Sequence, residues 1–152
     1  MRSVLPTDTE LARPADLAPR LRMTVMRLSR RLRQHAPEDI TPSQLSALAV
    51  IVRDERLTLS QLAEAERVQP PTITRIVDML EQRGLATRTV SPDDRRVTLV
   101  AASPQGRALV ESIRRRRDAY LARHLRALSP EDLAVLTRAA ELLQQFIEDP
   151  AE

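Results

Sequence analysis

Apolar residues recur at helical spacing along most of the chain and give way to strand-like runs past the middle. In Gln69 to Arg83, Ile73, Ile76, Val77 and Leu80 fall at i, i+3, i+4 and i+7, so one stripe can face a core. Thr72, Thr74, Arg75, Asp78 and Gln82 are assigned to the opposite face. Pro70 and Pro71 preset φ in the first turn, and Gly84 supplies the residue that tolerates a left-handed backbone after the last. Upstream, Ser60 to Arg67 reads as a short helix capped by Ser60, with Leu59, Leu62 and Ala63 turned inward. Only Val68-Gln69 separates the two, which is a helix-turn-helix pattern. Downstream, Leu85 to Val90 and Val97 to Ala101 are strand-like runs flanking a polar turn, Ser91 to Arg96, that carries two arginines. Leu57-Thr58-Leu59 is a candidate third strand for that hairpin.

The flanks are helical again. Residues 1–15 are polar, with prolines at 6 and 14, and read as a loose arm. From Asp16, Leu17, Leu21, Val25, Leu28 and Leu32 form the stripe of a helix over 16–36. After a break at His35 to Ile40, Thr41-Pro42-Ser43-Gln44 is a capping box that opens a helix through Leu45, Leu48, Ile51 and Val52. Ser103-Pro104 starts a long helix carrying Leu109, Val110, Ile113, Tyr120, Leu121, Leu125 and Leu128. Ser129-Pro130 opens the last, in which Leu133, Leu136, Ala140, Leu143 and Ile147 line one side with Leu142 and Phe146 beside them.

The expected architecture is mainly α with a small β-hairpin wing: a winged helix-turn-helix over 40–101, an N-terminal helix, and C-terminal helices over 103–149. A winged core needs only about 60 residues. The stripes at the two chain ends must therefore be covered by something else. Interleaving two copies through Leu17, Leu21, Leu28, Leu121, Leu125, Leu136, Leu143, Phe146 and Ile147 would do so and set two reading heads side by side. Packing of the helices on their own winged domain is the competing expectation. Arg114 to Arg117 points all round its helix and cannot make a one-sided phosphate patch, so pairing with Glu111 or Asp118 is expected for part of it.

Composition changes this picture mainly by exclusion. The 152 residues favour one domain, and a formal net charge of +3 is too small to name a partner. All 24 bases are arginine, which grips phosphate and guanine in a bidentate fashion, although GC-rich coding produces the same bias. The absence of cysteine excludes disulfides, thiolate metal sites and thiol redox switching. His35 and His124 are isolated, so no metal is expected, and each is placed on a helix surface or end. With only Tyr120 and Phe146 aromatic, a stacking platform for single strands is not expected. No nucleophile–base pair or glycine-rich phosphate loop is present, so neither an enzyme nor a cofactor is expected. No membrane-length apolar run or signal peptide is visible, and a cytoplasmic protein is expected.

Taken together, helix, helix and a hairpin with a cationic tip point to duplex DNA. Hydroxyls and a guanidinium suit base edges and phosphates in a major groove. Helix 41–54, SQLAEAER, TITR, RGLATR and the PDDRR tip together resemble the MarR (multiple antibiotic resistance regulator) family, over about Asp16 to Ile147. The most specific part is the wing pattern D-x-R followed by L-T. Here it is Asp94-Arg95-Arg96, with Ala102-Ser103 in place of Leu-Thr. Gln69 stands where a serine or threonine usually precedes the recognition-helix proline, and Pro71 is added.

The resemblance implies a dimeric transcriptional regulator, a repressor, bound to a pseudo-palindromic operator. Its recognition helix enters the major groove and its wing the minor. On that analogy Arg96 enters the minor groove, oriented by a salt bridge to Asp94, with Arg95 as the substitute if the turn is rotated. A narrow minor groove concentrates negative potential and attracts such a group. Gln69, Pro71, Thr72, Thr74 and Arg75 would lie at bases and phosphates, and Ser43 and Ser60 at phosphates near helix N-termini. The resemblance also implies a small aromatic or anionic effector between the terminal helices and the winged domain. A sequence-neutral architectural DNA binder and a winged domain serving only protein contacts stay open as alternatives.

Overall fold

The computed structural model describes residues 13–35 and 39–148, so most of the expected N-terminal arm lies outside the described residues. The element order is α1 (Pro14–Arg33), α2 (Pro42–Asp54), β1 (Leu57–Thr58), α3 (Leu59–Ala65), α4 (Pro70–Gln82), β2 (Ala86–Val90), β3 (Thr98–Ala102), α5 (Pro104–Leu125) and α6 (Pro130–Glu148). This is a mainly helical winged helix-turn-helix fold. α1 begins two residues before the expected Asp16 because Pro14 fits its first turn, where a missing N–H costs nothing.

Helix starts are written in short side chains. At α2, Thr41 accepts from the Gln44 N–H at 3.2 Å and the Gln44 amide oxygen accepts from the Thr41 N–H at 3.1 Å, the expected box. α3 repeats the device with Thr58 and Gln61, at 3.1 and 2.8 Å. Ser60 is therefore not the cap, and the helix ends at Ala65 rather than Arg67. The T-x-x-Q spacing wins because it satisfies two otherwise unpaired N–H groups reciprocally, whereas Ser60 alone would satisfy one. Thr58→Ala is expected to lower stability by about 1 kcal/mol, and Ser60→Ala to stay within about 0.5 kcal/mol of wild type. Urea unfolding at fixed protein concentration reads both.

The sheet is antiparallel with strand order β1-β3-β2. Leu57 pairs with Val100, and Ala86, Arg88 and Val90 pair with Ala102, Val100 and Thr98. The expected third strand forms, except that Leu59 already belongs to α3. Both hairpin strands begin one residue later than their apolar runs suggest. Leu85 is instead used to end α4: its N–H reaches the Leu80 carbonyl and that of Gly84 reaches Glu81, each at 2.8 Å. Gly84 takes φ 67°, and buried Leu85 stands over buried Leu80, so the helix stop doubles as a core contact.

One core joins these elements. Leu48 and Ile51 of α2, Leu62 of α3, Ile73, Val77 and Leu80 of α4 and Val100 of β3 are fully enclosed. α5 docks on it through Leu109 and Val110 and through Gly106, where a Cβ would come within 2.0 Å of the Leu85 carbonyl oxygen. Ser103 caps α5 by accepting from the Gly106 N–H at 3.0 Å while donating to the Gly84 carbonyl at 2.6 Å.

The terminal helices behave differently. Neither α1 nor α6 contains a buried residue. Leu17, Leu28, Leu125, Leu136, Phe146 and Ile147 are exposed, and Leu21, Leu121 and Leu143 are half-covered. The winged domain of the same chain thus does not cover these apolar faces. α1 touches α5 near its own end, where the Arg117 Nε donates to the Leu32 carbonyl at 3.3 Å. His35 and His124 both lie against Tyr120, with ring centroids 4.8 and 4.4 Å away.

Candidate nucleic-acid interface

The outward ridge of α4 consists of Pro71, Thr72, Arg75, Met79 and Gln82, all exposed and spaced at three or four residues beyond the first pair. Thr74 is not on it. Its hydroxyl donates to the Pro70 carbonyl at 2.9 Å and its side is half-buried. Asp78, also assigned outward from periodicity, is turned toward the wing. Met79 was missed because a methionine on a polar face looks like noise, although the 72–75–79–82 spacing contains it.

The helix tip is unusual in one respect. Gln69 precedes α4 with no side-chain capping bond, and the first two helical residues are prolines. Two backbone N–H donors are thereby missing where a helix normally offers them to an anion. The Thr72 N–H is already bonded to the Gln69 carbonyl at 2.9 Å. Polar contact at this tip therefore falls to the side chains of Gln69 and Thr72.

Arg88 of β2 ties the wing to this helix. Its guanidinium pairs with Asp78 at 2.8 Å and with Glu81, and reaches the Thr74 carbonyl at 3.4 Å. The Arg88 backbone N–H also donates to Glu81 at 2.9 Å. Nothing in the sequence pattern singled Arg88 out. Its role depends on strand register and on how β2 crosses α4, neither of which periodicity encodes. On the other side, Ser46 of α2 donates to Glu66 at the end of α3 at 3.0 Å, tying α2 to the turn before α4. Arg67 fills the left-handed position after α3 (φ 52°), where glycine would be unstrained, and so places a cation in the turn itself.

The wing turn is built around Ser91, which is buried and holds the Asp93 N–H at 3.3 Å. Its ends are joined by Ser91 N–H to Val97 carbonyl at 2.8 Å. Arg95 and Arg96 are exposed at the tip. Asp94 accepts from the backbone N–H of Arg96 at 2.9 Å, and among the described residues no ion pair joins the two side chains. The aspartate thus shapes the turn rather than holding the guanidinium, which stays free. Ser43 and Ser60 occupy second positions of α2 and α3 with exposed side chains.

Behind the ridge lies an open groove of about 920 Å³ between the end of α1, α2, α4 and α5. Ile40, Leu45 and Ile76 give it an apolar lining, Arg33, Arg117 and the acid Glu66 supply charge, and Thr72 of the outward ridge forms part of its wall. In the arginine run, Arg115 pairs with Glu111 at 3.5 Å, as expected for a solvated helix face.

Comparison with known proteins places this geometry. Residues 40–98 match the model of the MarR family. An HTH-type transcriptional regulator of Mycobacterium tuberculosis is 38% identical over 136 residues, covering 89% of this chain and 95% of that protein. The HTH-type transcriptional repressor MdtR of Bacillus subtilis is 32% identical over 73% of this chain and 72% of its own length. Among solved structures, Streptococcus pneumoniae FabT in complex with DNA superposes with a TM-score of 0.68 at 26% identity, covering 89% of this chain and 94% of that one.

Proposed function

The chain belongs to the MarR family of helix-turn-helix transcriptional regulators, and we propose that it works as a homodimer on a pseudo-palindromic operator in duplex DNA. The observation that carries this reading is Arg88, which ties β2, the strand leading to the exposed two-arginine tip, to α4, the helix bearing the exposed ridge, through Asp78 and Glu81. A rigid pair of protrusions suits a surface with two adjacent grooves. The α4 ridge, with Pro71, Thr72 and Arg75 at its leading end and Gln69 before it, enters the major groove. Arg96, or Arg95 beside it, enters the minor groove, where negative potential is concentrated. Ser43 and Ser60 are placed at the flanking phosphates.

The uncovered apolar faces of α1 and α6 support the dimer. Leu17, Leu28, Leu136, Phe146 and Ile147 are all exposed in a single chain, a liability that a second copy would remove. Residues 16–36 and 103–149 thus serve as dimerisation helices around a DNA-binding unit at 40–101. Occupying an operator blocks other proteins from the same DNA, so repression is the favoured sign of regulation, in keeping with the name of MdtR. A small acid with an aromatic or other apolar body fits the groove behind the ridge. Its carboxylate would meet Arg33 or Arg117 and its body would press on Thr72 and Ile76, shifting the helix that reads DNA.

Sedimentation velocity together with footprinting on the DNA upstream of the protein's own gene tests the reading. The expected outcome is a dimer protecting two half-sites about one helical turn apart, with a preference of ~10³ over random duplex. A monomer, or equal competition by random DNA, would reject it.

A further inference from the structure

From Ile40 to Ser103 the large apolar side chains left in solvent are Met79 and Val90, at 43% and 60% exposure. The other exposed large apolar residues among those described lie on α1, α5, α6 or the α5–α6 connection, where the proposed second copy would cover them. These two sit instead on the recognition helix and on the wing strand. Met79 follows Arg75 by one turn on the same ridge, rises about 6 Å beyond it, and is followed by Gln82. An unbranched thioether chain there is flanked by polar groups, and its own domain leaves 43% of the residue exposed.

Resting on the DNA-binding reading above, we propose that Met79 sets base preference in the operator by packing on the C5-methyl group of a thymine. The major-groove floor presents donors and acceptors at every base pair, and the one apolar group on it is that methyl. A methionine facing cytosine or a purine edge would strip water from polar atoms without replacing their hydrogen bonds. Over thymine it removes only apolar surface from water. The side chain's three rotatable bonds let it follow the methyl without demanding a fixed helix depth. Arg75 supplies the polar part of the readout, and Met79 adds a contact that hydrogen bonding cannot report.

The test uses the full-length protein and a duplex selected by it from a randomised library. Each thymine of both half-sites is replaced in turn by deoxyuridine, which deletes the methyl group and leaves pairing intact. Binding is read by fluorescence anisotropy at one salt concentration. One symmetry-related thymine pair is expected to weaken wild-type binding on replacement, by about fourfold per half-site, the value of one buried methyl-sized group. Met79→Ala is expected to bind the thymine duplex more weakly and to be indifferent to that replacement, while Met79→Leu keeps the sensitivity. Wild type that loses nothing at any thymine overturns the proposal, as does an equal loss in Met79→Ala. Failure to select any duplex rejects the DNA-binding reading as a whole. A selected duplex without the methyl effect rejects this inference alone. Because Met79 is exposed, melting of the variant should match wild type.

Discussion

Arg96→Ala is expected to weaken binding to the selected operator about 100-fold, roughly tenfold for each of two wings. The guanidinium is exposed at the turn, and the neighbouring carboxylate of Asp94 is engaged with the Arg96 backbone N–H rather than with the side chain. Truncation therefore removes a free cation without breaking any contact that maintains the turn. Folding should be untouched, so the whole effect appears in the DNA titration. The slope of log affinity against log salt should also fall, since two fewer charges displace counterions. Arg95→Ala serves as the internal comparison, with an effect of a few-fold. Arg75→Ala should reduce both affinity and the preference over random duplex, because a base-facing group carries sequence information that a phosphate-facing one lacks. Wild-type affinity in both Arg96→Ala and Arg75→Ala would remove the ridge-and-wing account.

The largest effect on folding is expected at Gly106. Alanine there would place a Cβ 2.0 Å from the Leu85 carbonyl oxygen and 3.2 Å from Leu48. The obstacle is backbone, and the Leu85 carbonyl also accepts from the Ser103 N–H at 3.0 Å, so it cannot swing aside. α5 would have to lift off the winged core. Gly106→Ala is expected to cost about 3 kcal/mol and to lower the melting temperature by about 10 °C at fixed protein concentration. Gly84→Ala makes the useful contrast. There the added Cβ meets only Gln105 at 3.4 Å, and the penalty is the left-handed backbone (φ 67°), about 1 kcal/mol. Equal melting of the two variants would show that α5 is not docked through this contact.

Most of the element order was legible from the residues in chain order. Prolines 42, 70, 104 and 130 each stand at a helix start, and Gly84 stands at a helix end, because those positions are decided within one turn of backbone. The same locality explains why Thr41 and Ser103 could be recognised as caps. It also explains the error at α3, where Thr58 lay two residues ahead of the favoured Ser60 and had its own glutamine partner. The apolar stripes of α1 and α6 were equally plain, and their lack of cover within the chain is what keeps a second copy in the argument.

The amino-acid order by itself settled which helices form, the boundaries of most to within about two residues, and which side of each is apolar. It also settled that two arginines sit at a hairpin tip. Local sterics and a repeat of 3.6 residues are enough for that. Only the three-dimensional packing decided which polar residues of α4 face outward, turning Thr74 and Asp78 aside and leaving Met79 in view. Only packing, too, joined Arg88 to Asp78 and Glu81 and brought Gly106 against Leu85. Those contacts depend on how a strand crosses a helix and how closely two backbones approach, and such distances are set by the whole core at once rather than by neighbours along the chain.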